Sequence, residues 1–586
     1  MTDNSNNAPP AITAWGIIKP YWVSEDRWRA GGLLALIVVM NLALVGLNVW
    51  LNNWYRIFYN AIQQYNYPVF LRSILEYAAV AIVYILLGAY SQYFRQMLEF
   101  RWRQWLTSKY LNEWFDKQAY YRVERDGLMD NPDQRLSDDL RVLTSLTLDL
   151  SVGLLRNAVN LGSFILILWN ISGRLAFSMA GIHVSIPAYM VWAALVYAVL
   201  GSWATYRLNR RLVPINYQQQ CVEADFRFGL IRVRENAEPI ALYRGETAEQ
   251  GTLKGAFGHI RNNWRLVMRY TRRLNIVTLS YGQLAVVFPY IMAAPRYFTK
   301  QITFGDYTMI ANAFGNVSDS ASWFINSYDS LAQWRATVNR LREFHRIMQV
   351  QHPDEAQTGV QAETETDSAP RCLRLERTPV PQITTRNLML ALPDGKPLAH
   401  VRDIAIAPGS RWLVRGPSGA GKSTFMRALA GLWPFGDGKI GMPDDARVMF
   451  VSQQGYLPIG TLKAALAWPS LPDAFSDAAC RDALDACGLA EYAARLDESG
   501  HWSRILSPGE AQRLAGARVL LHQPDYLFLD EATSALDAGN EARLYRVFTE
   551  RLPHAAIVSI AHHESVTGFH QNTLEIGQAP QEPVAA

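Results

Sequence analysis

The hydrophobic and polar positions divide the chain into two unlike parts. Residues 14–346 contain six largely apolar runs, each close to the length of about 20 residues that a helix needs to cross a bilayer. The strongest run carries no charge between Arg29 and Arg56, and the run at 307–328 is the least hydrophobic. The other four runs lie at about 70–94, 148–171, 185–206 and 274–295. Residues 383–577 alternate apolar strand-like segments with amphipathic ones, which predicts an α/β domain.

Polar segments flank and separate these two parts. Residues 1–13 are polar and lack a basic region followed by a short apolar core, so we do not expect a cleaved signal peptide. Residues 350–382 are predominantly polar and contain no aromatic residue, which is typical of a linker. Residues 578–586 are predicted to form a loose tail.

Lys and Arg are concentrated in two of the segments between the apolar runs. The segment after the second run includes Arg95, Arg101 and Arg103, and the segment after the fourth includes Arg207 and Arg210. Basic loops favour the cytoplasmic side of a membrane. Six spans with both chain ends in the cytoplasm follow from this distribution. Both basic segments have helical patterns, so the spans are predicted to continue well beyond the bilayer.

The overall composition excludes or disfavours several classes of protein. The apolar runs exclude a purely soluble enzyme. A net charge of +4, from 56 Lys and Arg against 52 Asp and Glu, does not call for nucleic acid as a partner. Four scattered cysteines are too few for a disulfide framework or a zinc site, which favours a reducing compartment.

A glycine-rich segment in the second part carries the first candidate chemistry. The sequence VRGPSGAGKST follows a predicted strand, precedes a predicted helix and satisfies the phosphate-loop pattern. In that pattern backbone amides surround phosphates at a helix N-terminus, a lysine neutralises the terminal phosphates and a hydroxyl reaches Mg²⁺. The predicted ATP-binding residues are Gly416, Pro417, Ser418, Gly419, Ala420, Gly421, Lys422, Ser423 and Thr424.

A later apolar strand ends in two adjacent carboxylates. The sequence PDYLFLDEATSALD places Asp530 and Glu531 at the end of this strand. A carboxylate in that place holds Mg²⁺, and the next one accepts a proton from an attacking water. Such a strand is weak evidence alone, and the interpretation depends on the phosphate loop and on ILSPGEAQRLAGARVLL immediately upstream.

These motifs together resemble the ATP-binding cassette family over residues 383–577. LSPGE at 506–510 is similar to the family's signature motif, SALD at 534–537 to its D-loop, VSQQG to its Q-loop and SIAHH to its switch segment. The resemblance implies ATP and Mg²⁺ as cofactors. It implies catalytic or sensing roles for Glu531 as general base, His562 as γ-phosphate switch and Gln453 as sensor, with Gln454 as the alternative to Gln453. It also implies Ser423, Gln453 and Asp530 as the magnesium site and Ser507 and Gly509 as contacts to a γ-phosphate.

Two positions depart from the family pattern. Pro508 stands where the signature usually has glycine, which removes one backbone donor but leaves Ser507 and the amide of Gly509. Leu392 lies near the place where many cassettes stack an aromatic ring on adenine, so we expect an apolar contact there.

The first part resembles bacterial BacA/SbmA-like peptide-uptake permeases and peroxisomal fatty-acyl half-transporters over residues 14–346. The similarity lies in LNNWYRIFYNAIQQYN, LEFRWRQWLTSKYLNEWF and DNPDQRLSDDLR. It implies an exporter-type fold, namely an α-helical six-span transmembrane domain followed by an α/β P-loop ATPase domain. In the resembled proteins one domain's phosphate loop faces another domain's signature. Because the chain carries one of each, a homodimer is expected.

Polar residues inside the predicted spans indicate where a solute passes. Asn312, Asn316, Asp319 and Asn326 fall at helical spacing with Trp323, and Arg156 interrupts the third span. A charged side chain facing lipid at mid-membrane costs about 2.5 kcal/mol or more, so this stripe is expected to line a cavity. A purely structural set of interhelical hydrogen bonds is the alternative.

The expected function is ATP-driven transport of hydrophilic solutes, such as peptides or cobalamin-like compounds, with import as the suggested direction. The partners are a second copy of the chain, the lipid bilayer and the solute, without nucleic acid. The expected location is a bacterial inner membrane with the ATPase domain in the cytoplasm. The alternatives are transport of fatty-acyl or other amphipathic substrates, and a nucleotide-gated channel or membrane-tethered regulatory ATPase.

Overall fold

The computed structural model describes residues 13–179, 182–349, 373–561 and 563–578. The chain divides into two units, residues 1–350 and 351–586. The predicted switch residue His562, the polar start 1–12, residues 350–372 of the predicted linker and the tail from 579 lie outside the described residues.

The first unit is built mainly from helices. They are α1 (Ala14–Trp22), α2 (Arg27–Gln63), α3 (Tyr67–Phe115), α4 (Ala119–Arg125), α5 (Pro132–Gln134), α6 (Leu140–Ser172), α7 (Tyr189–Glu235), α8 (Ala237–Tyr243), α9 (Glu246–Phe298), α10 (Phe304–Asn326) and α11 (Tyr328–Gln349). Among the described residues, five helical segments are long and apolar enough to cross a membrane, and they contain α2, α3, α6, α7 and α9. The sixth predicted span forms most of α10, which is helical but more polar than those five.

The long helices exceed the thickness of a bilayer. Helices α3, α7 and α9 contain 49, 47 and 53 residues. At about 1.5 Å per residue they reach roughly 70–80 Å, against about 30 Å for the hydrocarbon core. The predicted continuation of these spans beyond the membrane is therefore confirmed by their lengths.

The fourth span begins later than the sequence predicts. Strands β1 (Arg174–Met179) and β2 (Ile182–Pro187) form an antiparallel hairpin, and α7 starts only at Tyr189. The sequence IHVSIP alternates apolar and polar residues with the period of a strand. Ala188, at φ 48°, separates this strand from the helix.

Apolar faces of the helices meet in two cores of the first unit. In one, Tyr21 of α1 stacks on Trp102 of α3 with ring centroids 5.7 Å apart. In the other, α10 buries Ile310, Phe314 and Val317, which recur at spacings of four and three. This one-sided burial leaves the opposite face of α10 to its polar residues.

The described residues of the second unit form two large sheets, one short two-stranded sheet and six α-helices. Its strands are β3 (Arg374–Thr378), β4 (Ile383–Ala391), β5 (Pro397–Val401), β6 (Ile404–Ile406), β7 (Arg411–Arg415), β8 (Gly436–Pro443), β9 (Val448–Val451), β10 (Gly460–Thr461), β11 (Ser499–Gly500), β12 (Tyr526–Asp530), β13 (Ala556–Ile560), β14 (Asn572–Glu575) and β15 (Gly577–Gln578). Its α-helices are α12 (Lys422–Leu429), α13 (Leu462–Ala467), α14 (Asp477–Ala486), α15 (Trp502–Ile505), α16 (Pro508–His522) and α17 (Ala538–Arg551).

A parallel sheet with the order β14-β7-β13-β12-β9 forms the centre of this unit. Strands β12 and β13 are buried almost throughout, as expected for strands covered on both faces. A second, largely antiparallel sheet has the order β15-β5-β4-β8-β3, with β6 paired to β4. Strand β3 pairs with β8, so regular structure starts at Arg374, inside the stretch 350–382 that its composition indicates as linker.

Candidate nucleotide site and membrane cavity

The candidate nucleotide site lies at the carboxyl edge of the parallel sheet. Val451 of β9 is opposite Leu529 of β12, and Asp530 is opposite Ile560 of β13, which in turn is opposite Val414 of β7. Parallel strands end at the same edge of a sheet, where ligands usually bind. The segments that follow these four strands therefore emerge side by side, although they are far apart in the sequence.

The phosphate loop connects β7 to α12 and depends on glycine at its two ends. Gly416 has φ 153°, and a Cβ there would lie 2.3 Å from the carbonyl oxygen of Ile576. Gly421 has φ 91°, which a residue with a side chain rarely adopts. Lys422 is 8% exposed, and its Nζ donates to the carbonyl oxygens of Gly416 at 2.9 Å and Pro417 at 3.0 Å. The ammonium is thus held over the loop. The remaining predicted loop residues lie in the same loop and in the first turn of α12: Ser418, Gly419, Ala420, Ser423 and Thr424.

Two of the predicted magnesium ligands are in direct contact. The hydroxyl of Ser423 donates to Oδ1 of Asp530 at 3.0 Å. Burial raises the pKa of the Asp530 carboxyl above its ordinary value, and the charge of Glu531 acts in the same direction, while the Ser423 hydrogen bond opposes both. A cation beside Asp530 would favour its ionised form. A hydroxyl and a carboxylate are oxygen ligands of the kind Mg²⁺ prefers, so this pair fits the predicted metal site.

The backbone turns sharply at Glu531, the predicted general base. Its φ of 51° lies in the left-handed region, which is uncommon for a residue other than glycine. Its amide donates to the carbonyl of Ile560 at 3.1 Å, and its own carbonyl accepts from the amide of Ser534 at 3.1 Å. These bonds end strand β12 and hold Glu531 directly after Asp530 at the sheet edge. Its role as general base stays a prediction.

Gln453, the predicted sensor, lies in the exposed segment that follows β9. The structure connects this segment to Gln512, a buried residue of α16. Nε2 of Gln512 donates to the carbonyl of Gln453 and to Oγ of Ser534, both at 3.3 Å, and its Oε1 accepts from the amide of Ala535 at 2.9 Å. One side chain therefore joins the Q-loop, α16 and the D-loop. Sequence reasoning missed Gln512, because a polar residue on a buried helix face indicates that it has partners but not which ones.

The signature segment forms the N-terminus of α16. Ser507 is its N-cap and shares a capping box with Glu510: the Ser507 amide and hydroxyl donate to Oε2 at 2.8 and 2.7 Å. The Ser507 hydrogen bonds lower the pKa of Glu510. Pro508 occupies the first helical turn, where its missing N–H would have no intrahelical partner. A Cβ on Gly509 would lie 3.2 Å from the carbonyl of Ala535, so the signature lies against the D-loop.

Glu541 of α17 is a second residue that sequence reasoning missed. Its side chain is buried, and its Oε1 accepts from the hydroxyl of Thr533 at 2.7 Å. Its Oε2 accepts from the hydroxyl of Ser565 at 2.7 Å and lies 3.1 Å from Nδ1 of His563. One carboxylate thus connects the residue before the D-loop with the segment that follows the predicted switch position 562.

The predicted polar stripe of α10 lies on the helix face that stays partly exposed in the protomer. Asn312, Asn316 and Trp323 are half-buried, while Asp319 and Asn326 are exposed. Nδ2 of Asn316 donates to the carbonyl of Asn312 at 3.0 Å, within the helix itself. The stripe is thus turned away from the apolar core of the unit.

A polar cavity of about 560 Å³ brings together two of the predicted membrane residues. Arg156 and Trp323 line it together with residues of α2 and α3, whereas Asn312, Asn316, Asp319 and Asn326 do not. The sequence therefore predicted part of its lining and missed the contributions of Asn41, Ser91 and Arg95. Those residues lie on other helices, and helical spacing within one span does not show which helices are neighbours.

Comparison with known proteins assigns the family. Residues 17–298 match the family described as ABC transporter transmembrane region 2, and residues 400–534 match the family described as ABC transporter. The Escherichia coli inner membrane ABC transporter ATP-binding protein YddA is 32% identical over 563 residues, which cover 96% of each chain. The chain belongs to the ABC transporter family. The transporter is also 26% identical to the mouse lysosomal cobalamin transporter ABCD4 over 588 residues, covering 95% of this chain and 92% of the relative.

A solved structure supports the same fold for the transporter. A bacterial Atm1-family ABC exporter with ATP bound superposes with a TM-score of 0.70 at 20% identity, over 95% of both chains. The predicted fold class, a helical transmembrane region followed by an α/β ATPase domain, is confirmed. The transporter is a membrane-spanning protein that binds ATP and couples ATP hydrolysis to transport.

Proposed function

We propose that the transporter is a homodimer that uses ATP to move hydrophilic solutes, such as peptides or cobalamin-like compounds, into the cell. The observation that carries the choice of solute is the cavity of about 560 Å³ among the membrane helices, which is lined by polar groups including Asn41, Ser91 and Arg156. Asn41 and Ser91 already hydrogen-bond to each other, but an apolar acyl chain would take the guanidinium of Arg156 out of water without giving it a hydrogen-bond partner, which costs about 1–3 kcal/mol or more.

The nucleotide chemistry follows from the edge of the parallel sheet. Lys422 neutralises the terminal phosphates of ATP, and the amides from Gly416 to Thr424 surround them. Ser423 and Asp530 would hold Mg²⁺, which would supply positive charge beside the phosphates, and Gln453 would bring the Q-loop to that site. Among the described residues, no group of three His, Cys, Asp or Glu side chains is placed to hold a metal ion. This agrees with a magnesium ion that is bound partly through the phosphates of ATP.

Hydrolysis needs a group that takes a proton from the attacking water. Glu531 has that role, because it directly follows Asp530 and is fixed by two backbone hydrogen bonds at the sheet edge. His562 orients the γ-phosphate, and Gln453 senses it.

Two chains complete each nucleotide site. The phosphate loop belongs to the connection between β7 and α12, whereas Ser507 and Gly509 belong to the N-terminus of α16. In the closed dimer Ser507 and the amide of Gly509 contact the γ-phosphate held by the other chain. The Ser507 hydroxyl then exchanges its bond to Glu510 for one to the phosphate, while the Ser507 amide keeps the capping box.

Relatives support the location and the type of solute. YddA is named as an inner membrane protein, which supports a bacterial inner membrane with the ATPase domain in the cytoplasm. The mouse relative is named as a cobalamin transporter, which supports a hydrophilic solute. Fatty-acyl transport and a nucleotide-gated channel are the competing functions.

Membrane vesicles of both orientations test the direction and the class of solute. We expect right-side-out vesicles loaded with Mg²⁺ and ATP to accumulate a labelled short peptide or cobalamin, and inside-out vesicles to do so only weakly. Vesicles without the transporter are the control. Accumulation of a fatty-acyl probe alone, or accumulation only in inside-out vesicles, would contradict the proposal.

A further inference from the structure

The polar cavity of the membrane unit is lined by one face of each of several helices. Helix α6 contributes Asp149, Gly153 and Arg156, at spacings of four and three, and α3 contributes Ser91 and Arg95, at a spacing of four. These spacings place each set along one side of its helix. Arg156 lies about 12 Å along α6 from the start of the predicted third span, so the cavity lies within the length of that span.

The charged side chains that line this cavity include more positive than negative groups. Arg95 and Asp149 form an ion pair in its wall. Within the described parts of the chain, Arg156 has no carboxylate at ion-pair distance, and the buried Nε of Arg95 has no hydrogen-bond acceptor. An arginine inside a span costs about 2.5–3.5 kcal/mol on insertion scales, and such residues usually face a water-filled path or a partner. With Arg95 paired to Asp149, the charged residues of the lining leave one positive charge, that of Arg156, which no carboxylate of the described lining neutralises.

An aromatic ring and an amide complete the lining. A Cβ at Gly153 would lie 2.8 Å from Cζ2 of Trp323, so the glycine allows the indole to lie against α6, one turn from Arg156. Elsewhere in the lining, Nδ2 of Asn41 donates to Oγ of Ser91 at 3.0 Å. The cavity thus combines a cation, a flat ring and polar side chains, which suits a small polar ligand with an acidic group.

We propose that this cavity binds the carboxylate or phosphate group of a transported solute, with Arg156 as the residue that selects for negative charge. The inference rests on the proposed function, since it specifies the class of hydrophilic solute. The planar guanidinium of Arg156 forms paired hydrogen bonds with the two oxygens of such a group, and Trp323 packs against the adjacent part of the solute. Acidic solutes and anionic lipid headgroups share this chemistry, and the experiment separates the two.

Binding of a defined peptide to the full-length protein in lipid nanodiscs, without ATP, tests this role. The probes are triglutamate and the neutral triglutamine, measured by calorimetry in nanodiscs of phosphatidylcholine alone and of phosphatidylcholine with phosphatidylglycerol. We expect Arg156→Gln to weaken triglutamate binding about 10-fold or more, as lost charge-assisted hydrogen bonds imply, and to leave triglutamine binding unchanged. Arg156→Lys should retain most of the affinity because it keeps the charge.

Arg72→Gln is the matched control, because Arg72 is exposed, pairs with Glu76 on the same helix and lies outside the cavity. ATP affinity of each variant shows that the second unit is folded, and unchanged triglutamine binding shows that the membrane unit is. Equal triglutamate affinity for wild type and Arg156→Gln, or no saturable triglutamate binding to wild type, overturns the inference. The inference is also overturned if the wild type binds no triglutamate and the amount of phosphatidylglycerol that copurifies with the protein is lower for Arg156→Gln than for wild type. That result assigns the site to a lipid headgroup. None of these results decides whether the protein transports solutes with ATP, because the vesicle experiment tests that function separately.

Discussion

Glu541 offers a sharp test of how the nucleotide site is held together, because its buried carboxylate has three partners from two separate segments. Thr533 and Ser565 each donate a hydroxyl at 2.7 Å, and Nδ1 of His563 lies 3.1 Å away. In Glu541→Gln the side chain keeps its size but loses its charge. A hydrogen bond to a charged group contributes about 1 kcal/mol more than one between neutral groups, so the two hydroxyl bonds together lose about 2 kcal/mol. Glu541→Ala also leaves the buried donors without partners, which raises the cost to about 3–5 kcal/mol.

Hydrogen exchange and steady-state ATPase measure this effect in the intact transporter. A loss of about 2 kcal/mol corresponds to about 30-fold faster exchange through local opening in peptides that cover Thr533 and 563–565. We also expect kcat to fall about 10-fold while KM for ATP changes little, because the phosphate loop is untouched and only the alignment of the switch segment is lost.

Glu550→Gln is the matched control, since Glu550 lies on the exposed side of the same helix α17. It should change neither exchange nor kcat. The reasoning is refuted if the hydrogen-exchange rates and the ATPase activity of Glu541→Gln equal those of wild type. It is also refuted if kcat falls while hydrogen exchange in these two segments does not change.

Three further predictions concern the dimer, the metal ligand and the membrane helix. A purified mixed dimer of one Ser507→Arg chain and one Lys422→Ala chain should bind one ATP at high affinity, because both lesions fall in one composite site. If the mixed dimer binds no ATP at high affinity, nucleotide sites that are shared between chains are excluded. Asp530→Asn should abolish Mg²⁺-dependent ATPase, yet raise the Tm of the nucleotide-free protein near neutral pH. The reason is that burial raises the Asp530 pKa, so ionisation costs stability as the pH rises through that value. The gain in Tm should vanish below about pH 4, and a lower Tm at neutral pH would contradict this cause. Asp319 does not line the cavity with Arg156, but it lies on the exposed polar face of α10, which we expect a second chain to enclose with the solute path; Asp319→Asn should therefore preserve folding but alter uptake per folded dimer, with Asp319→Leu more harmful. If both variants lower the Tm in detergent and uptake falls only in proportion to folded protein, Asp319 has a structural role instead.

Local patterns were sufficient to predict where several residues of the candidate nucleotide site lie in the fold. The phosphate loop has its chemistry within nine consecutive residues, and the strand that ends in Asp530 is recognisable from its apolar run. Both features depend on residues that are neighbours in sequence. The contact between Ser423 and Asp530 could then be expected from the rule that parallel strands end at one edge.

Features that depend on distant residues were not predicted. The bonds of Gln512 and Glu541 join segments that only the folded sheet brings together. Strand β3 was included in the predicted linker because its polar residues carry no strong alternation, and its position is determined by pairing with β8. In the membrane unit, helical spacing within α10 indicated a polar face but not the neighbouring helices that form a cavity with Arg156.

The central claim is that ATP hydrolysis at the sheet edge drives hydrophilic solutes across the membrane. The most direct measurement is movement of a labelled acidic peptide against its concentration gradient in proteoliposomes supplied with Mg²⁺ and ATP, for wild type and Glu531→Gln. We predict uphill movement by wild type, and for Glu531→Gln retained ATP binding with neither hydrolysis nor uphill movement, because the amide keeps the shape of the side chain but accepts no proton. Movement that stops at equal concentrations, or that continues in Glu531→Gln, would contradict the account and favour a nucleotide-gated channel.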